Sequence, residues 1–406
     1  MGTYFSSKFF RHNRERLRKL SKTDAPIVIV ANGRMQRNSD NVYPFSQDSS
    51  FWYLTGINEP DVMLVLDGDK EYLILSDRSD TRAVFDGHVD TLKLTKRSGI
   101  ETVLPEKNGW QHLARCLKKS NYVATLPALP TYVDRYGFYT NPARAVFTAR
   151  LKSYSSNLKI QDISSQLIAM RMVKQPEEIA TIQLAIDITA SSIKSVTKEA
   201  KHGRFGHEYE IEAALTKEFR RRGASGHGFV PIVAGGQRAL TLHEVSNDGD
   251  ITPGMLVVID VGAEVEHYSA DLTRTVAIGS ISSRQEAILM AVQTVQKETF
   301  GLLKPGVYLH DYEQQVEQLM GEQLRRLGLI KKITHKDVRY YYPHATSHFL
   351  GLDVHDVGDY NRPLEEGMVM TVEPGIYIPE ESIGVRIEDD VLITHSGVKV
   401  LSSKLP

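Results

Sequence analysis

Two stretches of this 406-residue chain repeat each other in a fixed order, and that repetition limits the possible folds most strongly. Gly203, His207, Tyr209 and Glu210 recur 103 positions later as Gly306, His310, Tyr312 and Glu313. Each copy continues into a helix-like run, ending Arg220-Arg221-Arg222-Gly223 in one and Arg325-Arg326-Leu327-Gly328 in the other. Further along, four residues separate Gly254-Met255 from Asp260, and four separate Gly367-Met368 from Glu373. Both copies therefore carry a turn, an apolar strand and a carboxylate at the strand's far end. A duplicated αβ unit buries its paired strands side by side about a pseudo-twofold axis. That arrangement brings the two carboxylate-ending strands to one central point.

The repeat occupies only the later part of the chain. At about 150 residues per domain, the length calls for two or three domains. The first ~165 residues alternate strand and helix signals. Ile27 to Ala31 is a β-branched run, and Val62 to Leu66 and Glu71 to Leu75 flank the turn Asp67-Gly68-Asp69-Lys70 as a hairpin. Tyr122 to Leu126 is a further strand, and Pro127 to Pro142 is turn-rich. A helical stretch begins near Ile163, and Gln175-Pro176-Glu177-Glu178 has the proline and acids of a helix start. The expected domains are 1–165 and 166–406.

At the amino terminus, Lys8, Arg11, Arg14, Arg16, Arg18, Lys19 and Lys22 face a single acid, Glu15. An acid-poor, Arg-rich start is shared with transit peptides. A first helix, with Phe9, Phe10, Leu17 and Leu20 on one face and the bases in water, is the preferred reading. Gly2 with Ser6 matches a myristoylation pattern, but that pattern is short and holds aromatic residues here, and Ser403-Lys404-Leu405-Pro406 is not a peroxisomal address. The expected compartment is the cytoplasm. Forty-nine Lys+Arg against fifty Asp+Glu leave no field for a polyanion, so nucleic acid is not an expected partner. The run Arg220 to Arg222 reads as a solvated helix end. No stretch approaches the ~18 apolar residues of a membrane span, so no membrane partner is expected. The single cysteine, Cys116, excludes an internal disulfide framework and a Cys-rich metal site.

The chemistry gathers in the repeat. Val257 to Gly262 is apolar except for Asp260, and a lone buried carboxylate is costly without a partner or a metal. Asp271 follows on a returning segment, and the second copy supplies Glu373 and Glu388 in the same way. Four acids in one place cannot all ionise without cations. His344, His348 and His355 lie between Pro343 and Gly358, and His243 stands 105 positions before His348 as its counterpart. The spacing of His344 and His348 matches a helical zinc site, but the general-base Glu is missing, and Thr346 and Gly351 favour strand and loop. Oxygen donors with little nitrogen and no sulfur suit Mn²⁺ better than a thiolate zinc site.

From Gln175 onward these residues resemble the pita-bread metallopeptidases, the group of methionine aminopeptidase, prolidase and aminopeptidase P. The segments carrying the likeness are Asp260-Val261-Gly262, Ala270 to Thr275, His348 with Gly351 to Asp356, and Val372-Glu373-Pro374-Gly375. Upstream, Tyr43 to Gln47 and Phe51 to Pro60 are similar to the amino-terminal domain of Xaa-Pro aminopeptidases. The implied fold is α/β (α+β): an amino-terminal creatinase/aminopeptidase P-type domain, then a pita-bread catalytic domain with pseudo-twofold duplication. The implied ligands of two divalent metal ions are Asp260, Asp271, His348, Glu373 and Glu388. Mn²⁺ is the expected ion, with Co²⁺, Zn²⁺ and Fe²⁺ as alternatives. The resemblance implies a water or hydroxide shared by the two ions, Glu373 as proton carrier, and His243 and His355 as substrate-binding and transition-state groups. Arg386 would orient carboxylates from the strand face it shares with Glu388, and His344 would be a supporting or gating residue.

The implied reaction removes an N-terminal residue that precedes proline, and the implied assembly is a homo-oligomer, dimer or tetramer. Prolidase is the alternative, and Arg362 is a candidate anchor for a dipeptide's carboxylate. A non-catalytic relative would lack ligands, a creatinase-like hydrolase would need no metal, and methionine aminopeptidase is disfavoured by the long amino-terminal domain.

Overall fold

The computed structural model describes residues 4–128, 137–154 and 157–405. Gly2, Pro406 and half of the turn-rich segment expected at 127–142 lie outside the described residues. The chain divides into two compact units, Met1–Met170 and Arg171–Pro406.

The first unit contains β1 (Ile27–Val30), β2 (Gln36–Asn38), β3 (Asn41–Val42), β4 (Val62–Asp67), β5 (Lys70–Leu75), β6 (Val103–Pro105), β7 (Tyr122–Thr125) and β8 (Lys159–Asp162). Six of these form a mixed sheet in the order β6-β5-β4-β1-β7-β8. The expected hairpin is present as β4 and β5, with Asp67 opposite Lys70. Helix Glu106–Ser120 covers the sheet, and Trp110, Leu113 and Leu117 pack with Val28, Val65, Ile74 and Val123.

The basic amino terminus is the helix Ser7–Ser21. It buries Phe9, Phe10 and Leu17, whereas Leu20 is 46% exposed and leaves the expected face. Arg14 takes the inward place. It is fully buried, donating to both Glu71 carboxylate oxygens at 3.0 and 2.7 Å and to the Leu54 carbonyl at 2.8 Å. The expectation that every base here faces water fails at Arg14, because a guanidinium can be buried where a carboxylate and a carbonyl satisfy its fork. The motif Phe51 to Gly56 is helix Ser49–Thr55, capped by Asp48 and ended by Gly56 at φ +66°. A Cβ at Gly56 would drive into the Phe10 ring, so glycine is required there for two reasons.

The second unit opens with helix Pro176–Lys201, whose Gln175 and Glu178 form a capping box. Its strands are β9 (Gly226–His227), β10 (Ile232–Gly235), β11 (Leu256–Val261), β12 (Ala263–Val265), β13 (Tyr268–Ser269), β14 (Leu272–Ala277), β15 (Val369–Val372), β16 (Gly375–Ile378), β17 (Ile383–Arg386), β18 (Asp389–Thr394) and β19 (Gly397–Val400). The repeat is visible as two three-stranded sheets, β10-β11-β14 and β15-β18-β19. Gly254 and Gly367, at φ +91° and +90°, make the same left-handed turn into β11 and β15. Helices Glu208–Arg221 and Leu309–Arg326 belong to the two copies. At the end of the first, Arg221 and Arg222 pair with Glu218 at the surface. Among the described residues no helix is long and apolar enough to cross a membrane.

Candidate metal centre

The two copies are stitched together where their carboxylates meet. Asp260 is the penultimate residue of β11, a strand buried along its length. β11 runs antiparallel to β14 with Asp260 opposite Thr273, so the returning chain brings Asp271 to the same sheet end. Gly262 permits that return, since a Cβ there would strike the Ala270 carbonyl. Glu373 directly follows β15, and its N–H donates to the Thr346 carbonyl at 2.8 Å. Glu388 departs from the expected strand face: Arg386 ends β17, and Glu388 lies in the two-residue link before β18. The first copy positions it. The Glu388 N–H donates to the Thr273 carbonyl at 3.0 Å, and its Oε2 accepts from the Thr273 hydroxyl at 2.7 Å.

His348 is in a loop, as Thr346 and Gly351 suggested. Its Nδ1 is 3.1 Å from the Phe349 carbonyl, which can only accept, so Nδ1 carries the proton. The free Nε2 lone pair is then 3.5 Å from Asp271 Oδ2 and 3.5 Å from Glu373 Oε1. Asp271, His348 and Glu388 each offer a ligand atom within 4.8 Å of the others.

Asp260 Oδ1, Asp271 Oδ1 and Glu388 Oε1 are buried with no hydrogen-bond donor among the described residues. Burial pushes Asp271 and Glu388 well above the ordinary carboxylate range, and the charges of neighbouring acids push them further. Burial likewise raises Glu373 to about 7, against the pull of the Arg386 guanidinium. Ionised together, these groups need cations. Unpartnered oxygens beside one aimed imidazole nitrogen fit divalent metal ions, which these five residues could hold.

The nine residues expected at the metal and substrate site line one cavity of about 540 Å³. Arg386 donates to Asp260 at 2.7 Å and to the Tyr377 hydroxyl at 2.9 Å. His344 Nδ1–H donates to the Ala345 carbonyl at 2.9 Å, so its Nε2 accepts from the Tyr377 hydroxyl at 2.9 Å. Burial lowers His344 to about 3, and burial with His348 and His243 nearby lowers His355 to about 4. Both rings are neutral at ordinary pH. His355 meets His348 edge to face, 4.5 Å between centroids. Arg362 does not line this cavity. It pairs with Glu365 at 2.5 Å, because a partly exposed guanidinium three residues from an acid finds the local partner.

The sequence reading missed the supports of the site. Glu313 accepts from the Thr346 N–H at 2.8 Å and its hydroxyl at 3.0 Å, holding the loop that carries His348. Asp390 accepts from the Asp271 N–H at 3.1 Å. An apolar wall of Phe229, Val230, Leu242, Val245 and Val354 also went unnoticed. The only available signals were Glu313's place in the repeat and the acidic run Glu388-Asp389-Asp390.

Residues 180–395 match metallopeptidase family M24. The chain belongs to that family. Residues 10–124 match the aminopeptidase P amino-terminal domain, which completes the expected architecture. The chain is 34% identical to the Xaa-Pro aminopeptidase of Haemophilus influenzae, over 98% of this chain and 94% of that protein. It is 33% identical to human Xaa-Pro aminopeptidase 3, over 95% and 80%. Among solved structures it is similar to aminopeptidase P from E. coli with the inhibitor Pro-Leu (TM-score 0.89, 29% identity, 100% and 96% covered). Proline aminopeptidase P II from Yersinia pestis is similarly close (TM-score 0.87, 29% identity, 99% and 97% covered). This M24 protein is a hydrolase, a metal-dependent aminopeptidase, with the fold expected from its sequence.

Proposed function

We propose that this aminopeptidase removes the first residue from peptides whose second residue is proline. The observation that carries the reading is the set of buried, donorless carboxylate oxygens converging with His348 Nε2 in one cavity. The names of the relatives supply the substrate class. Asp260, Asp271, His348, Glu373 and Glu388 would hold two divalent ions, Mn²⁺ by preference from their oxygen-rich donors. A Zn-substituted E. coli aminopeptidase P with product is among the similar structures, so zinc stays an alternative, with Co²⁺ and Fe²⁺. When bound, such ions supply an activated water and charge for the developing oxyanion.

The protein's own groups do the rest. A bond before proline has no N–H, and its nitrogen must be protonated before it leaves. Glu373, beside His348 on the cavity wall, takes the water's proton on its carboxylate and returns it to that nitrogen. His243 and His355 face the scissile carbonyl, and a neutral His355 donates its ring N–H there. Arg386 fixes Asp260 and, through Tyr377, the ring of His344.

Peptides longer than two residues should be preferred. The cation lining the cavity among the described residues is Arg386, already engaged by Asp260 and Tyr377, which leaves no spare charge for a dipeptide's carboxylate. We place the protein in the cytoplasm, in keeping with its single unpaired cysteine. We also expect a homo-oligomer, dimer or tetramer. The 82–84% exposure of Val84 and Phe85 on one short helix supports this, and sedimentation would check it.

The function test is hydrolysis of an Xaa-Pro dipeptide and of a tripeptide sharing its first two residues, after exhaustive chelation and after adding Mn²⁺. Activity should vanish, then return, with the tripeptide favoured. Full activity in chelator would refute the metal reading, and a strong dipeptide preference would make the protein a prolidase.

A further inference from the structure

We propose that Asp67, His112 and Cys116 form a second metal site, in the amino-terminal unit, for a zinc-class dication. Asp67 ends β4 opposite Lys70, and Tyr72 on β5 stands opposite Val65. Asp67 and Tyr72 therefore share one face of the hairpin, two residues apart along the ladder. Helix Glu106–Ser120 packs on the sheet through Trp110, Leu113 and Leu117. His112 and Cys116 lie one turn apart on that helix, so both point the same way. Each of the three residues offers a ligand atom within 4.8 Å of the others. The Cys116 thiol now donates to Asp67 Oδ2 at 3.1 Å.

Tyr72 is an independent observation pointing to a ligand. It is 3% exposed, yet its hydroxyl has no hydrogen-bond partner among the described residues. Its ring meets His112 edge-on, 5.0 Å between centroids, and burial, with Cys116 and Asp67 close by, disfavours ionisation of its hydroxyl. A buried hydroxyl without a partner is rare and calls for an explanation. A water completing the coordination of an ion at this cluster would accept from it.

The donor set decides the class of ion. One thiolate, one imidazole and one carboxylate suit Zn²⁺ or Co²⁺, whereas the carboxylate-rich centre contains no sulfur. On binding, the S–H bond of Cys116 breaks, a sulfur–metal bond forms, and the proton leaves to solvent. Three protein ligands leave one position open. All three residues line a cavity of about 1020 Å³ rimmed by Lys70, Arg115, Lys118 and Lys119, whose positive charge favours hydroxide over neutral water as the fourth ligand that accepts from Tyr72. Burial and Asp67 raise the thiol to about 11, so a role as a free thiolate nucleophile fits poorly.

The test uses the full chain with its carboxylate centre saturated with Mn²⁺, titrated with Co²⁺ and followed by near-ultraviolet absorption. Cys116 is the only cysteine, so thiolate-to-Co²⁺ charge transfer has one possible source. The band should appear and saturate at one Co²⁺ per chain. It should be absent in Cys116→Ser, while peptidase activity in Mn²⁺ stays at the wild-type level, which also shows that the variant folds. His112→Asn and Asp67→Asn should each weaken Co²⁺ binding by about tenfold or more. No band in the wild type would overturn the proposal. A band of unchanged affinity in both His112→Asn and Asp67→Asn would do the same, since it would mean adventitious binding to a lone thiol.

Discussion

Glu210 and Glu313 stand at matching points of the repeat, 103 residues apart, and have become different parts. Glu210 is half-exposed and caps its own helix, its Oε2 accepting from the N–H groups of Gly206 at 2.6 Å and His207 at 3.0 Å. Glu313 is largely buried and reaches off its helix to grip Thr346. The first copy does have a glutamate with Glu313's task, but it is Glu208. Fully buried, it accepts from the N–H groups of Gly235 at 2.8 Å and Gly249 at 2.9 Å, and from Arg238 at 3.0 Å. It thus ties down the segment carrying His243, as Glu313 ties down the one carrying His348. Glu208 and Glu313 are 105 apart, which is also the offset between the two histidines. The repeat is therefore preserved by task at the cavity and by letter away from it. The buried acceptor follows the loop it must hold, while the surface cap is free to drift.

The largest expected effects test whether the copies contribute equally at the metal centre. Asp271→Ala and Glu388→Ala should each lose metal and lower activity by more than the ~10–100-fold typical of an outer supporting residue. Metal analysis of the purified variants checks this. A variant of either copy that keeps both ions and full rate would break the symmetry. His355→Ala should instead retain both ions while its kcat falls on the order of 10²–10³-fold, the cost of losing a donor to a developing oxyanion. A metal-free His355→Ala would show that this histidine is a ligand.

The crowded acids also set a pH dependence for the metal-free protein. Glu373 is raised in the folded state, from an ordinary 4.5 to about 7, so between those values the native state holds more protons than the unfolded one. Its contribution to stability is thus lost as pH rises through that window. Metal-free Glu373→Gln should gain in Tm over metal-free wild type as pH climbs from 4.5 towards 7, and saturating Mn²⁺ should stabilise the wild type more at the upper end. A Tm difference that is flat or shrinks with pH would contradict the reading.

Next in size are the two loop-holding glutamates. Glu313→Gln keeps one acceptor for Thr346 but loses the charge, and kcat/KM should fall about 10–100-fold with metal content little changed. Glu208→Gln removes the buried charge that accepts from Arg238 and from the Gly235 and Gly249 N–H groups, so Tm should drop as well as activity. If Glu313→Gln has wild-type kinetics, the supposed equivalence of the two glutamates fails.

What could be read beforehand follows from the range of each constraint. Asp260 in its apolar strand and Glu373 after its glycine turn were readable because a buried charge is expensive within a few residues of sequence. The hairpin of β4 and β5 and the cap at Gln175 were readable for the same local reason. Glu388 was assigned to the wrong kind of element because its position depends on Thr273, 115 residues away. Arg362, named only as the anchor a prolidase would need, lies off the cavity, since nearness in sequence to His355 says nothing of Glu365 as its partner. Arg14 was expected in water, since no local pattern announces a buried guanidinium whose acceptors are Glu71 and the Leu54 carbonyl. Glu208 escaped notice because a constant offset of 103 hid a task conserved at 105.

The smallest expected effect is the most direct test of that last point. Glu210→Gln keeps a side chain long enough to accept from the Gly206 and His207 N–H groups and removes only the charge at a half-exposed site on the helix start. The N–H groups of Gly206 and His207 hold the Glu210 carboxyl below its ordinary range. A lowered folded value stabilises above the unfolded value and is lost as pH falls through the folded one. Wild type and Glu210→Gln should therefore differ slightly in Tm near neutral pH and converge in acid, with kcat/KM the same within about twofold, as for a surface change away from the site. A loss of activity comparable to that of Glu313→Gln would mean that the match at 103 is functional after all, and that Glu208 is not the first copy's loop-holding residue.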